Sequence, residues 1–198
     1  MRNNRIKFAL IGCGRIVTKH ADALKNGLNE QSILVAVCDL NLAKAKKVGE
    51  QYGTPYYSNY DEMLIEHPEV EVVSVLTESG NHGKHVIDVV KKYKKHIVVE
   101  KPMALSMDDA ERMIKACDEV GVKLFVVKQN RYNLPVMKLK KALNENKLGD
   151  LVMGTVRVRW SRPQAYYDQD EWRGTWKYDG GVFTNQASHH IDLLEWML

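Results

Sequence analysis

The chain has 198 residues, 44% hydrophobic and 27% charged, a balance that excludes disorder, collagen and a coiled coil. Twenty-nine Lys and Arg against 25 Asp and Glu leave a net charge of +4 (29 − 25), too small for a dedicated nucleic-acid binder and suited to anionic ligands such as nucleotides. No apolar stretch approaches the ~18 residues of a membrane span, and three cysteines without a CxxC (Cys13, Cys38, Cys117) point to the reducing cytoplasm.

The start of the chain imitates a lipoprotein leader: Met1–Lys7 is basic and Leu10-Ile11-Gly12-Cys13 resembles a cleavage site. The apolar run Phe8 to Ile11 is shorter than the ~7–15 residues a secretory segment needs. Ile6–Ile11 therefore reads as a buried parallel strand. Val17, His20, Ala21, Leu24 and Leu28 follow at helical spacing. Ile33–Cys38 is a second strand, ending at Asp39. Leu42, Ala45, Val48 and Tyr52 predict a helix closed at Gly53, before the turn Gly53-Thr54-Pro55. Val70–Leu76 is a third strand, and Val86, Val89, Val90 and Tyr93 form a helical face. Ile97–Val99 is a strand stopped by Glu100-Lys101-Pro102. Ala110, Met113, Ile114 and Cys117 form another helical face, closed by Gly121, and Val122–Val127 is a strand again. Strand and helix alternate throughout, which predicts an α/β domain built on a doubly wound parallel sheet over residues 1–128.

From residue 129 the pattern changes. Leu134–Leu143 predicts a helix. Leu151–Trp160 alternates Arg157 and Arg159 with Val156, Val158 and Trp160, the pattern of a strand in an open antiparallel sheet. Ser161–Gly181 is an aromatic-rich loop. Phe183–Leu198 predicts a helix with an apolar stripe of Phe183, Ala187, Ile191, Leu194 and Leu198. Residues 129–198 thus read as the first part of a second domain, and the uncapped apolar end at Leu198 leads us to expect that the domain is truncated.

Gly12-Cys13-Gly14 sits where a strand turns into a helix, the context a dinucleotide site requires. Gly12 permits the turn, Gly14 lets backbone approach a pyrophosphate, and the helix N-terminus offers free N–H groups. Val17 occupies the third glycine position, so the fingerprint is incomplete. Asp39, ending the second strand, suits the adenosine ribose hydroxyls and would repel a 2′-phosphate, which favours NAD over NADP. A plainer reading makes Asp39 the N-cap of the helix at Leu42. Lys101, at the ligand edge of the sheet, could polarise a substrate oxygen or act as a base; a surface-loop lysine is the alternative. Asn185, His189 and Asp192 lie at i, i+4 and i+7, with His able to move protons near neutral pH, or as an ordinary solvated face. His189 and His190 point apart, His82 and His85 lack a third ligand, and no metal site is expected. Lys91-Lys92-Tyr93-Lys94-Lys95 reads as a solvated helix end.

Gly12-Cys13-Gly14-Arg15-Ile16, Glu100-Lys101-Pro102 and a Gly-rich turn leading to a helical His together resemble the glucose–fructose oxidoreductase/inositol dehydrogenase (Gfo/Idh/MocA) family. The resemblance implies an N-terminal Rossmann domain that binds NAD and a C-terminal α/β domain that supplies the substrate site and much of an oligomer interface. Longer blocks are similar to one subgroup, the UDP-N-acetylglucosaminuronate 3-dehydrogenases of bacterial surface-polysaccharide (O-antigen) synthesis. They are Phe125-Val126-Val127-Lys128-Gln129-Asn130-Arg131, Ser161-Arg162-Pro163-Gln164 with Tyr166-Tyr167, Trp172-Arg173-Gly174-Thr175-Trp176, Asp179-Gly180-Gly181 and Asn185-Gln186-Ala187-Ser188-His189.

By position, this resemblance implies Lys101 and His189 as the catalytic pair, with Asn185 beside them. Asn185 stands where many members have Asp, so a carboxylate-assisted His is not implied and Lys101 takes a larger share. The same resemblance assigns Gly12, Gly14, Arg15, Ile16, Asp39, Thr77, His82, Glu100, Gln129, Trp172 and Arg173 to the cofactor. It assigns Arg131, Arg162, Tyr167 and Ser188, with Lys101, Asn185 and His189, to the sugar nucleotide. A cytoplasmic homo-oligomer, dimer or tetramer, is expected, with a UDP-sugar substrate and neither nucleic acid nor membrane as partner. Members usually continue for roughly 100 or more further residues.

Overall fold

The computed structural model describes residues 5–25 and 31–198. The start of the basic Met1–Lys7 stretch, and Leu28 of the first predicted helix, lie outside the described residues. The chain divides into two compact units, 1–126 and 127–198.

The first unit alternates strand and helix: β1 (Ile6–Ile11), α1 (Val17–Lys25), β2 (Ser32–Cys38), α2 (Leu42–Tyr52), β3 (Tyr56–Tyr57), α3 (Tyr60–Glu66), β4 (Val72–Val75), α4 (His82–Tyr93), β5 (His96–Val99), α5 (Met107–Val120) and β6 (Leu124–Val126). The strands form one sheet in the order β3-β2-β1-β4-β5-β6, every neighbouring pair parallel. This is the doubly wound order, whose direction reverses between β1 and β4. Because side chains alternate across a strand, the apolar runs feed two cores. Ala9, Ile11, Ala36, Cys38, Val73 and Val75 pack with Met63, Val86, Val89 and Met113 on one face. Leu10, Leu34 and Val37 pack with Val17, Ala21, Ala45 and Tyr52 on the other. Each fully buried aliphatic side chain stabilises the fold by roughly 1.5–3 kcal/mol.

Local signals set the helix ends. The Asn41 side chain accepts the N–H groups of Ala43 and Lys44, and Gly53 closes α2 at φ 67°. The Ser106 hydroxyl accepts the Asp109 N–H, and Gly121 closes α5 at φ 72°. Two elements escaped the pattern. β3 is two residues long, and α3, capped by Asn59, spans only seven. Ile114 is a correction: it stands half exposed, and α5 turns Met113, Ala116 and Cys117 inward instead.

The second unit holds α6 (Leu134–Asn144), a short α7 (Gln164–Tyr167), a π-helical turn over Phe183–Ala187 and α8 (Ser188–Met197). The expected strand Leu151–Trp160 is not formed; these residues are exposed and carry no regular structure. A strand exists through its ladder, and among the described residues of this unit there is no strand for it to pair with. The segment lies instead against α8, close enough that a Cβ on Gly154 would meet Leu194 Cδ1 at 2.9 Å.

The helix after Phe183 forms as expected, but its apolar stripe is covered only in part: Ala187 and Leu194 are half-buried. Asn185 and Asp192 are buried, while Phe183, Ile191 and Leu198 are exposed. The cause is ionic. Arg131 grips Asp192 with two nitrogens, at 2.8 and 2.7 Å, and Lys128 approaches it at 3.3 Å. Lys140 adds a bond to the Trp196 carbonyl, 2.7 Å away.

Candidate active site

The dinucleotide turn lies at the point where the strand order reverses. Gly12 has φ 102°, and a Cβ there would stand 2.7 Å from the Leu76 carbonyl carbon, so the ends of β1 and β4 approach as only glycine allows. A Cβ on Gly14 would meet nothing within 4 Å, and Gly14, Arg15 and Ile16 are exposed at the turn. Gly14 is therefore not needed for packing; its bare backbone leaves an open approach to the start of α1, the cradle a pyrophosphate requires.

Asp39 ties this turn to β2. Its Oδ2 accepts the Cys13 N–H at 2.7 Å and its Oδ1 the Asn41 N–H at 2.8 Å. The α2 cap is Asn41, so the plainer reading of Asp39 falls away. Burial first, and then the Asp39 charge, push the Cys13 thiol up to about 12, which keeps it an unreactive packing group.

Beyond β4 and β5 stand Thr77, His82, Glu100, Lys101 and Pro102. Glu100 is buried and its Oε1 lies 2.8 Å from His20 Nε2, while its Oε2 accepts the Lys101 N–H at 3.1 Å. Burial works to raise the Glu100 pKa. The His20 bond and charge, with the Lys101 N–H and charge, outweigh it and hold the pKa below the ordinary value. His82 is buried too, its Nδ1 2.7 Å from the Pro102 carbonyl and its Nε2 2.9 Å from the Thr77 carbonyl. His85 Nδ1 meets Thr77 Oγ1 at 3.0 Å. The structure therefore brings Gly12, Gly14, Asp39, Thr77, Glu100 and Lys101 to one edge of one sheet. His82 sits beneath that edge, reaching it through backbone alone.

The second unit carries the other expected residues. Gln129 and Arg131 lie on a 3-10 turn, Gln129–Tyr132. The Arg131 guanidinium is taken up by Asp192. That hydrogen bond raises the Arg131 pKa; for Asp192, burial raises the pKa, but the Arg131 bond and the Lys128 charge outweigh it and depress it. Arg162 lies over Trp160 (4.9 Å) and Tyr166 (5.3 Å), and Arg173 over Tyr166 (4.9 Å) and Trp172 (4.6 Å). Asp170 accepts Arg173 Nε at 2.9 Å. Gln186 joins this stack to the helix, accepting from Arg162 at 3.0 Å and donating to the Tyr166 hydroxyl at 3.0 Å. Asn185 is buried, and His189, one turn on, is partly exposed. Ser188 Oγ, Arg162 Nε and Asp179 Oδ1 are buried without a hydrogen-bond partner. Tyr167 packs against Gly174, where a Cβ would come within 3.1 Å of its ring.

A model of an oxidoreductase family, the NAD-binding Rossmann fold of Gfo/Idh/MocA, matches residues 6–128. The chain belongs to the Gfo/Idh/MocA family. Its C-terminal domain model matches residues 136–198. Residues 6–128 are thus the family's NAD-binding fold.

Among solved Gfo/Idh/MocA structures, the chain is similar to the WlbA dehydrogenase of Chromobacterium violaceum in complex with NADH and UDP-GlcNAcA. Identity is 41% and the TM-score 0.93, covering 100% of this chain and 56% of that one. The WlbA dehydrogenase of Bordetella pertussis, also with NADH and UDP-GlcNAcA, is 43% identical with a TM-score of 0.91, covering 98% and 58%. A curated relative, the myo-inositol 2-dehydrogenase of Thermotoga maritima, is 30% identical over 98% of this chain and 55% of its own length. The chain spans about half the length of these relatives. Among the described residues no helix is long and apolar enough to cross a membrane.

Sequence reasoning missed His20, Gln186 and the pairing of Asp192 with Arg131. His20 did carry a signal: it is the polar member of the α1 face Val17, His20, Ala21, Leu24. A histidine on an otherwise apolar face needs a buried partner, and Glu100 is that partner.

Proposed function

We propose that this chain carries the NAD site and part of the substrate site of a dehydrogenase that oxidises the 3′-hydroxyl of a UDP-N-acetylglucosaminuronic acid-type sugar nucleotide to the ketone. The observation that carries this reading is the likeness of both units, at 41–43% identity and TM-scores of 0.91–0.93, to two dehydrogenases solved with NADH and UDP-GlcNAcA. Bound NAD would supply the hydride acceptor.

In this reading Gly12, Gly14, Arg15 and Ile16 receive the pyrophosphate and Asp39 the adenosine ribose. Thr77, Glu100, Gln129, Trp172 and Arg173 complete the cofactor site, with His82 acting through the backbone it holds. His189 takes the proton of the 3′-hydroxyl. Lys101 hydrogen-bonds the developing alkoxide, and Asn185, uncharged, orients without accepting a proton. Arg162, Tyr167 and Ser188 serve the sugar nucleotide, and Arg131 acts through Asp192 on the helix that carries His189. The protein works in the cytoplasm as a homo-oligomer and supplies a 3-keto sugar for surface-polysaccharide synthesis.

A second reading, oxidation of a free polyol, is favoured by the myo-inositol 2-dehydrogenase relative. Incubation with NAD and either UDP-N-acetylglucosaminuronate or myo-inositol separates the two. NADH absorbance together with a 3-keto nucleotide sugar in the mass spectrum is expected. Oxidation of inositol alone, or tighter binding of inositol than of the UDP-sugar by calorimetry, overturns the proposal.

A further inference from the structure

We propose that His82 is a positioning residue that sets the place of Lys101 by holding the Pro102 carbonyl. The inference rests on the assignment of Lys101 to the substrate in the preceding section. His82 opens α4 and is 1% exposed. Its ring stands between two backbone carbonyls, Pro102 at 2.7 Å and Thr77 at 2.9 Å. Pro102 directly follows Lys101, and Thr77 follows β4, so one ring joins the ends of neighbouring strands where the expected cofactor and substrate groups emerge.

A neutral imidazole has one N–H to give; given to Pro102, it leaves Nε2 facing the Thr77 carbonyl with no proton between them. Burial holds the ring below its ordinary pKa, against the pull of the Pro102 and Thr77 carbonyls and of Glu100. On the other side of Lys101 the backbone is also fixed. Its own N–H is bonded to Glu100 Oε2, and Glu100 Oε1 to His20. The Lys101 side chain thus springs from backbone held on both flanks, one by a helix-α1 histidine acting through Glu100, the other by His82. An apolar residue would fill the His82 position with less desolvation; what the imidazole adds is the carbonyl contact. Reacting groups misplaced by 1 Å can lose roughly 10²-fold in rate, which is the scale of advantage such a clamp can hold.

Two amides separate the contacts. An Asn side chain places its amide near the Nδ1 position and can donate to the Pro102 carbonyl; a Gln side chain places it near Nε2 and can donate only to the Thr77 carbonyl. The test is competitive acetic-anhydride labelling of the 198-residue chain across pH, with Lys101 read by mass spectrometry against the exposed Lys115. In His82→Leu the Lys101 labelling midpoint should move by about half a pH unit or more, since lysine pKa follows its surroundings closely. His82→Asn should restore it and His82→Gln should not. Equal behaviour of Asn and Gln, or an unmoved Lys101 in His82→Leu, overturns the proposal. Should His82→Leu fail to fold, the Asn and Gln variants decide alone. The reading of Lys101 itself is tested apart, by UDP-sugar oxidation in Lys101→Met. Undiminished turnover there removes Lys101 from the chemistry whatever the labelling shows.

Discussion

The two units handle polarity in opposite ways. In the first, apolar strands fill both faces of the sheet and polar groups gather at the strand ends, fastened to backbone: Asp39 to Cys13 and Asn41, His82 to Pro102 and Thr77. In the second, the final helix buries Asn185 and Asp192 and leaves Phe183 74%, Ile191 49% and Leu198 64% exposed. A sheet core needs only hydrocarbon and is self-sufficient. A buried carboxylate such as Asp192 persists only because Arg131 and Lys128 compensate it. The first unit is therefore organised around apolar burial, while in the second the buried side of the final helix is set by charge compensation.

The largest effect that would sharpen this contrast is catalytic. His189→Ala should lower kcat by ~10²–10⁴ and abolish the limb of the pH profile that the base imposes. Lys101→Met should lower it by ~10²–10³ with that limb intact. A limb that vanishes with Lys101 and survives without His189 would reverse the two roles.

Next comes stability. Leu10→Ala, in the sheet core, should destabilise by ~2–5 kcal/mol in urea titration. Ile191→Ala, on the exposed face of α8, should stay within ~0.5 kcal/mol. Comparable losses would erase the distinction between the units.

Acid should probe the charged unit in its own way. Asp192 has a folded pKa below its unfolded value of about 3.9. Its stabilisation is thus present above that value and lost as pH falls through the lower, folded one. Asp192→Asn should flatten the stability of the second unit in that acid window, followed by hydrogen exchange over residues 127–198. An unchanged acid profile would show that the Arg131 pair carries little weight. Glu100 in the first unit has the same sign, below about 4.3.

The smallest effect concerns cofactor choice. Asp39→Ala should narrow a preference for NAD over NADP in binding titrations, because it removes both hydrogen-bond acceptors and the repulsion of a 2′-phosphate. NADP bound as tightly as NAD by the unaltered chain would contradict the preference.

What was legible in the sequence was local. Ile6–Ile11 followed by Gly12-Cys13-Gly14 announces strand and turn within nine residues, and Gly53 and Gly121 mark their helix ends by backbone conformation, while the caps Asn41 and Ser106 were not read from the sequence. What was illegible was partnership. The alternation in 151–160 states that a strand is possible, not that another strand will pair with it. The stripe Phe183, Ala187, Ile191, Leu194, Leu198 states which face is apolar, not how much of it is covered. That Asp192 lies inside depends on Arg131, 61 residues earlier. Likewise the candidate site was legible as residue types, but the His20–Glu100 and His82–Pro102 contacts span 80 and 20 residues and belong to the tertiary fold.

The layered array Trp160, Arg162, Tyr166, Arg173, Trp172 sets two guanidinium groups against the single carboxylate of Asp170. Each guanidinium lies over two aromatic rings, so both side chains are ordered before any partner arrives. A planar fork fixed in this way loses less rotamer entropy for each hydrogen bond it goes on to form. The array is thus a set of pre-aimed donors, whose directions are set by ring packing as much as by charge.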